Sequence, residues 1–419
     1  MIIKLFIISI VLTLLFIISY YFYKNFWLLY KQYGYKLEIQ NEINTDPLYV
    51  RIYYDPTTMP SLYQAYDFLM QSPNALSFVC WQRIPEFMNN IDSKRNTIFF
   101  NHKNMCVWHP LDISPIEDYY KQHPNTKFII HSSNNWLDRI APLFNTIPSD
   151  AIEEIHLYED CAFFMYISVD KNHENRISKI RNEILGNNKV YFHARGVKRL
   201  NSLDYLFDKA SLRAKETHKN DIMTEASIML LKQNLNKTPD ITEEYFNIFG
   251  FDYKKYRKQL QRPFGIFTFN RYWNNSYANK QISFMYELID GKLKYLTGKH
   301  NIKWLYKEHP RLYDEPRFRD IIQSQRPELE SIDRNIPIEL FILADIMPDY
   351  IAGYYSSLYF NIPAKRIALY IKHHEDPYIP IFKRFHSIPP GRMFELEDID
   401  NNKKISASKL TVKLLGIFY

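Results

Sequence analysis

From Leu5 to Phe22 the chain carries no charged residue, and Leu, Ile, Val, Phe and Tyr dominate. As a helix rising ~1.5 Å per residue, this run is long enough to cross the hydrocarbon core of a bilayer. Tyr20, Tyr21, Tyr23 and Trp27 follow it, the residue types of a membrane interface. A cleaved signal peptide would end in small residues. Here the run ends in bulky aromatics and Lys24, so the pattern predicts an uncleaved transmembrane anchor. Lys24, Lys31, Lys36 and Arg51 lie after the span and only Lys4 before it. The positive-inside rule therefore puts the C-terminal body in the cytoplasm.

Beyond Asp46-Pro47 the pattern changes. Short apolar runs predict buried strands over Leu48–Tyr54, Ser77–Val79, Thr97–Phe99, Lys127–His131 and Glu154–Tyr158. Ser61–Met70 has helical spacing, and helical patterns separate several of the strands. Strand and helix in alternation imply a parallel sheet covered on both faces. From Lys171 to Tyr256 the chain is polar and reads as helical, with few strand signals. Gln261-Arg262-Pro263 marks a boundary. A second set follows: strands at Gly265–Phe269, Lys303–Lys307, Tyr350–Ala352 and Arg366–Ile371, helices at Lys280–Leu288 and Glu339–Ala344, and a turn opening at Ser356–Tyr359.

The pattern thus predicts an α/β protein of two such units behind one transmembrane helix; two Rossmann-like domains facing a cleft fit it, as do other two-domain α/β arrangements. Its segments are residues 1–46, anchor and stalk; 47–260, the first domain with a helical connection; 261–380, the second domain; and 381–419, a C-terminal segment returning to the first domain.

Composition adds little to this and excludes something. The 419 residues are 46% apolar and 24% charged, enough for two globular cores. The net charge of +7 contains no Lys/Arg run of the nucleic-acid type, so nucleic acid is not an expected partner. Aromatics reach 16%, which suits sugar stacking, with an AT-rich coding sequence as the plainer reading. Cys80, Cys106 and Cys161 are far apart, with neither metal spacing nor a disulfide framework, as in a reducing compartment.

Four stretches carry candidate chemistry, and each has a plainer reading beside it. Tyr158-Glu159-Asp160 ends a predicted strand, where open α/β sheets bind ligands; a carboxylate there serves as general base or as a helix cap. Lys307-Glu308-His309-Pro310-Arg311 follows another strand and offers cations and an imidazole to a phosphate; a lone histidine is also a common structural residue. Gly353-Tyr354-Tyr355-Ser356-Ser357 offers hydroxyls and backbone N–H groups to an anion, or simply caps a helix. Glu339 after Pro337-Ile338 suits ribose hydroxyls or a helix dipole.

In order and spacing these stretches resemble the bacterial sialyltransferases of glycosyltransferase family 80. Tyr53-Tyr54-Asp55-Pro56 through Met59-Pro60 is similar to that family's first strand and turn. Tyr158-Glu159-Asp160 stands at its Tyr-Asp-Asp-Gly motif, and Lys307 with His309-Pro310-Arg311 at its Lys-x-His-Pro motif. Ile266-Phe267-Thr268 with Trp273, and Asn335-Ile336-Pro337 with Glu339, match in turn. The longest match runs from Met347-Pro348-Asp349 through Ser356-Ser357-Leu358-Tyr359-Phe360 to Pro363. The resemblance spans Leu48 to Ile371 and is strongest in the second half.

The resemblance implies a GT-B fold and an inverting, metal-independent transfer from CMP-sialic acid to a galactoside-type terminus of a surface glycan such as lipooligosaccharide. CMP-sialic acid is then a substrate, and no cofactor is needed. It implies Asp160 as general base and His309 at the departing CMP phosphate. Lys307, Pro310, Glu339, Ser356 and Ser357 would hold the donor, and Arg83 and Trp273 the acceptor. Departures cluster on the acceptor side. Cys161 replaces the motif glycine, Ala162 a hydroxyl residue and Glu159 an aspartate, and Phe269-Asn270 replace a small-residue turn. A transferase for another CMP-activated acid sugar such as Kdo, or a silent membrane-anchored glycan- or nucleotide-binding protein, stays open at this point.

Overall fold

The computed structural model describes residues 49–84, 87–100, 111–159, 185–186, 188–194, 222–260, 263–269, 275–293, 302–309, 317–354, 358–359, 362–372 and 393–395. All of them belong to one compact unit, Pro47–Tyr419. The apolar run Leu5–Phe22 lies outside the described residues. Among the described residues, no helix is long and apolar enough to cross a membrane.

The first half is built from β1 (Tyr49–Asp55), α1 (Met59–Met70), β2 (Ser77–Trp81), α2 (Phe87–Asn90), β3 (Thr97–Phe99), α3 (Ser114–Gln122), β4 (Lys127–Ser133), α4 (Leu137–Thr146), β5 (Ile152–Tyr158), β6 (Val190–Ala194) and β7 (Ile222–Glu225). Three helices follow: α5 (Ile228–Lys237), α6 (Pro239–Ile248) and α7 (Tyr253–Gln259). The second half comprises β8 (Phe264–Thr268), α8 (Asn275–Glu287), β9 (Lys303–Lys307), α9 (Arg317–Gln325), β10 (Glu330–Ile332), α10 (Glu339–Leu343), β11 (Tyr350–Tyr354), β12 (Ile367–Lys372) and β13 (Met393–Glu395).

The first sheet runs 3-2-1-4-5-6-7 and the second 10-9-8-11-12-13. Every strand pair is parallel. Parallel sheets need cover on both faces, and the side chains supply it. In β1, Val50, Ile52 and Tyr54 pack in one core with Phe78, Ile130 and Leu157. Tyr53 points the other way, into a core that takes in Trp81, Leu62, Leu231 and Phe246. That second core continues through the linking helices to Ile266, Leu305 and Ile351 of the second sheet. Phe267, Trp304, Tyr306 and Leu369 cover the far face.

Most predicted strands are present within two or three residues. The reading of residues 171–256 as helical is corrected: β6 and β7 extend the first sheet there. Both are short, and β6 alternates buried Val190 and Phe192 with half-exposed Tyr191 and His193, so no apolar run announces them. β10 and β13 were likewise not legible; β13 adds to the second sheet beyond residue 380.

One buried acid shapes the edge of the first sheet. Asp55 closes β1 and is fully buried. Its carboxylate accepts from Thr57 N at 2.7 Å and Oγ1 at 2.6 Å, and from Ser61 N at 2.8 Å and Oγ at 2.6 Å. Thr58, the cap position of α1, makes no side-chain cap of its own. Asp55 thus does the capping from outside the helix and fixes the β1–α1 turn.

Candidate functional site

Each sheet has one place where strand order reverses: between β1 and β4, and between β8 and β11. Crevices form there, outside the carboxyl ends of the strands.

In the second sheet that edge gathers the donor-side residues. Lys307 ends β9, in register with Thr268 of β8 and Ile332 of β10. Thr268 is in turn opposite Gly353 of β11. Lys307 is 8% exposed, and its Nζ donates to the Arg334 carbonyl at 2.8 Å. This bond ties the end of β9 to the turn that leads into α10. Glu339 is the first residue of α10 and is buried. Burial pushes the Lys307 ammonium down to about 8, against the attraction of Glu339, Asp333 and Glu308. Burial also raises the Glu308 carboxyl, against Arg334 and Lys307. Its Oε1 is buried and has no hydrogen-bond partner among the described residues. His309 stands two residues beyond β9 and is partly exposed.

The structure therefore brings Lys307, His309 and Glu339 to one edge. Ser356 and Ser357 follow β11 in the chain but, with Pro310, lie outside the described residues.

In the first sheet the corresponding edge carries Arg83, two residues past β2 and buried. Asp160 and Trp273 lie outside the described residues. Asp160 follows Glu159, which is buried and donates its backbone N–H to the His193 carbonyl at 3.2 Å. Sequence reasoning missed the neutral polar side chains beside Arg83. Among the described residues, Gln82 Oε1, Ser132 Oγ, Ser133 Oγ and both amide atoms of Asn134 are buried without a hydrogen-bond partner. Gln82 N donates to the Asp55 carbonyl, and Tyr54 is in register with Ser132, so β2, β1 and β4 present these groups side by side. The signal was the polar run His131-Ser132-Ser133-Asn134 closing an otherwise apolar strand.

Chemically, the second sheet offers a buried ammonium, an imidazole and a carboxylate, a set suited to an anionic ribonucleotide. The first offers amide and hydroxyl groups and a guanidinium, suited to sugar hydroxyls.

Residues 252–378 match the family model of sialyltransferase PMO188. The resemblance to bacterial sialyltransferases is borne out by this match, and with it the glycosyltransferase class. No curated protein matches the chain in sequence. Among solved structures, the GT-B domain of the Photobacterium damselae sialyltransferase is similar. It is 18% identical with TM-score 0.61, over 83% of this chain and 99% of that one. A Photobacterium 2,6-sialyltransferase, solved with CMP and lactose, is 18% identical with TM-score 0.62, over 83% and 78%. The α/β-galactoside α-2,3-sialyltransferase of Photobacterium phosphoreum is 16% identical with TM-score 0.58, over 84% and 100%. At these identities the likeness is one of fold, and it bears out the two-sheet GT-B expectation.

Proposed function

We propose that the protein is an inverting sialyltransferase that moves sialic acid from CMP-sialic acid to a galactoside-type terminus of a surface glycan such as lipooligosaccharide. The observation that carries this reading is the meeting of Lys307, His309 and Glu339 at one sheet edge, inside the residues that match the sialyltransferase model. Uptake of CMP and lactose by a protein of similar fold supports it.

In this reading Asp160 takes the proton from the acceptor hydroxyl. A base on the face opposite the leaving group gives inversion. The transition state is oxocarbenium-like, so positive charge grows on the sugar and negative charge on the departing phosphate. His309, with Ser356 and Ser357, stabilises that phosphate. Lys307 and Pro310 support the nucleotide and Glu339 holds its ribose. Arg83 and Trp273 hold the acceptor. A phosphate monoester leaving group stabilised in this way requires no metal. The apolar run Leu5–Phe22 supports a single-pass anchor, with the catalytic body on the cytoplasmic side.

A donor panel tests the assignment. Full-length protein in detergent is incubated with CMP-sialic acid and CMP-Kdo, and CMP release is followed. Release from CMP-sialic acid alone is expected. Release from CMP-Kdo alone would transfer the reading to that sugar, and release from neither would leave a binding protein.

The titration of Lys307 gives a second expectation. Its ammonium loses the proton as pH rises through about 8. Attraction for the donor phosphate is then present below that pH and lost above it. The Kd for CMP should rise about tenfold between pH 7 and 9, as expected for loss of one charge-assisted hydrogen bond. Calorimetry on wild type and Lys307→Met checks this. The variant should bind weakly at both pH values with the alkaline loss absent.

A further inference from the structure

Glu339, the donor-side carboxylate, opens a helix of only five residues, and all five residues of α10 are buried. A helix of about one and a half turns makes too few internal hydrogen bonds to hold itself. What fixes α10 comes from outside it, at both ends.

On the side of the donor edge, Lys307 Nζ donates to the Arg334 carbonyl at 2.8 Å, and Asp333 Oδ1 accepts from Asn335 N at 2.8 Å. At the other end the helix closes in a Schellman turn. Ile346 N donates to the Phe341 carbonyl at 2.8 Å and Asp345 N to the Ile342 carbonyl at 3.3 Å. The position that usually takes glycine is Asp345, at φ +61°. Among the described residues it is the one non-glycine at positive φ. Aspartate tolerates this conformation less well than glycine and keeps it where the surroundings over-determine the turn.

Those surroundings are α5 and α7, two of the helices that link the halves. Lys232 of α5 forms an ion pair with the Asp345 carboxylate. Arg257 of α7 donates from Nη2 to the Ala344 carbonyl at 2.6 Å, one of the carbonyls that a helix end leaves open. The guanidinium is itself steadied, with its Cζ 5.6 Å from the centroid of the Tyr253 ring. Phe341, in the middle of α10, meets the rings of Phe251 and Tyr256 edge to face at 4.8 and 4.9 Å. The linking helices are in turn fixed to the first half. The Tyr245 hydroxyl of α6 donates to the Leu62 carbonyl of α1 at 3.0 Å, and Glu244 of α6 pairs with Arg95 at 2.7 Å.

We infer that Arg257 is a positioning residue for Glu339: it pins the C-terminal end of α10, and through that short helix it sets where the Glu339 carboxylate meets the ribose. This rests on the reading of Glu339 as the group that holds the ribose. At ~1.5 Å per residue α10 spans ~7.5 Å, and it moves as one rod. With Phe341 packed between two rings at its middle, a shift released at Ala344 is answered at Glu339. The Lys232–Asp345 pair is the weaker hold, because the aspartate side chain is 62% exposed and screened by water. The Arg257 bond is the stronger, since a cation donates to a carbonyl at short range. Arg257 is an exposed residue, so replacing it removes the hold and leaves the core in place.

The test compares two nucleotides on full-length protein in detergent. One is CMP and the other is 2′,3′-dideoxy-CMP, which lacks both ribose hydroxyls; calorimetry gives the Kd of each. Wild type should prefer CMP by at least about tenfold, as for a hydrogen bond to a charged group. Glu339→Ala should abolish the preference. Arg257→Met should reduce it about threefold, as for a carboxylate moved slightly from its place, with the Kd for the dideoxy nucleotide unchanged. Arg257→Lys, which keeps a cation near the carbonyl, should restore most of it. Arg257→Gln, too short to reach the carbonyl, serves with the same expected direction if Arg257→Met does not fold. A general loosening of the fold would weaken both nucleotides alike and leave their ratio as it was. Where Glu339→Ala has lost the preference, a wild-type ratio in Arg257→Met overturns this inference alone. A preference kept by Glu339→Ala overturns the reading of Glu339, and the inference with it.

Discussion

Asp160→Ala is expected to lower kcat for sialyl transfer by about 10²–10⁴-fold, the usual range for loss of a general base. The acceptor hydroxyl is a poor nucleophile until its proton moves. Lys307, His309 and Glu339, proposed for the leaving-group side, lie at the end of β9 and the start of α10 in the second half, away from the change. CMP should therefore bind Asp160→Ala as it binds wild type, and donor KM should change little. Steady-state kinetics with calorimetry on the same preparations separates the two effects. Equal losses in kcat and in CMP affinity would mean that Asp160 supports the fold and not the proton transfer.

Gly353→Ala carries the largest expected effect on stability. Gly353 lies in β11 at φ +128°, a conformation that residues with a Cβ rarely adopt. A Cβ there would stand 2.2 Å from the Thr268 carbonyl oxygen and 2.6 Å from its backbone nitrogen. Backbone atoms of a neighbouring central strand cannot step aside as a flexible side chain can. β8 and β11 are also the pair at which strand order reverses, so displacement there opens the crevice itself. The strained backbone and the forced overlap together should cost about 3 kcal/mol or more. Gly291→Ala is the contrast, since a Cβ there meets nothing within 4 Å. Its stability should stay within about 1 kcal/mol of wild type. Urea unfolding of the two variants checks the pair. An unchanged midpoint for Gly353→Ala would contradict the close approach of β8 and β11.

The same sheet edges show what the amino-acid order made legible. β9 was readable to the residue because Lys303–Lys307 is nearly all apolar inside, as a strand covered on both faces must be. β6 was not, because His193 and Tyr191 occupy one of its faces and stack on Tyr158 and His156 instead of joining an apolar core. Lys307 and Glu339 were found through motif resemblance, and their nearness is a consequence of the Lys307–Arg334 bond before α10. Ser132, Ser133 and Asn134 left only a polar run at the end of a strand, and Gln82 not even that; neutral polar residues close many strands, so the run does not mark a site by itself. Only the pairing of β2, β1 and β4 assembles them. His131, His156 and His193 lie on three strands and meet through register alone.

The most direct test of the central claim is one incubation. Full-length protein in detergent is mixed with CMP-sialic acid and lactose, and products are read by mass spectrometry. Release of CMP together with lactose carrying one added sialyl residue is expected. Folded protein that releases no CMP and leaves lactose and a wider array of galactoside acceptors unchanged would contradict it.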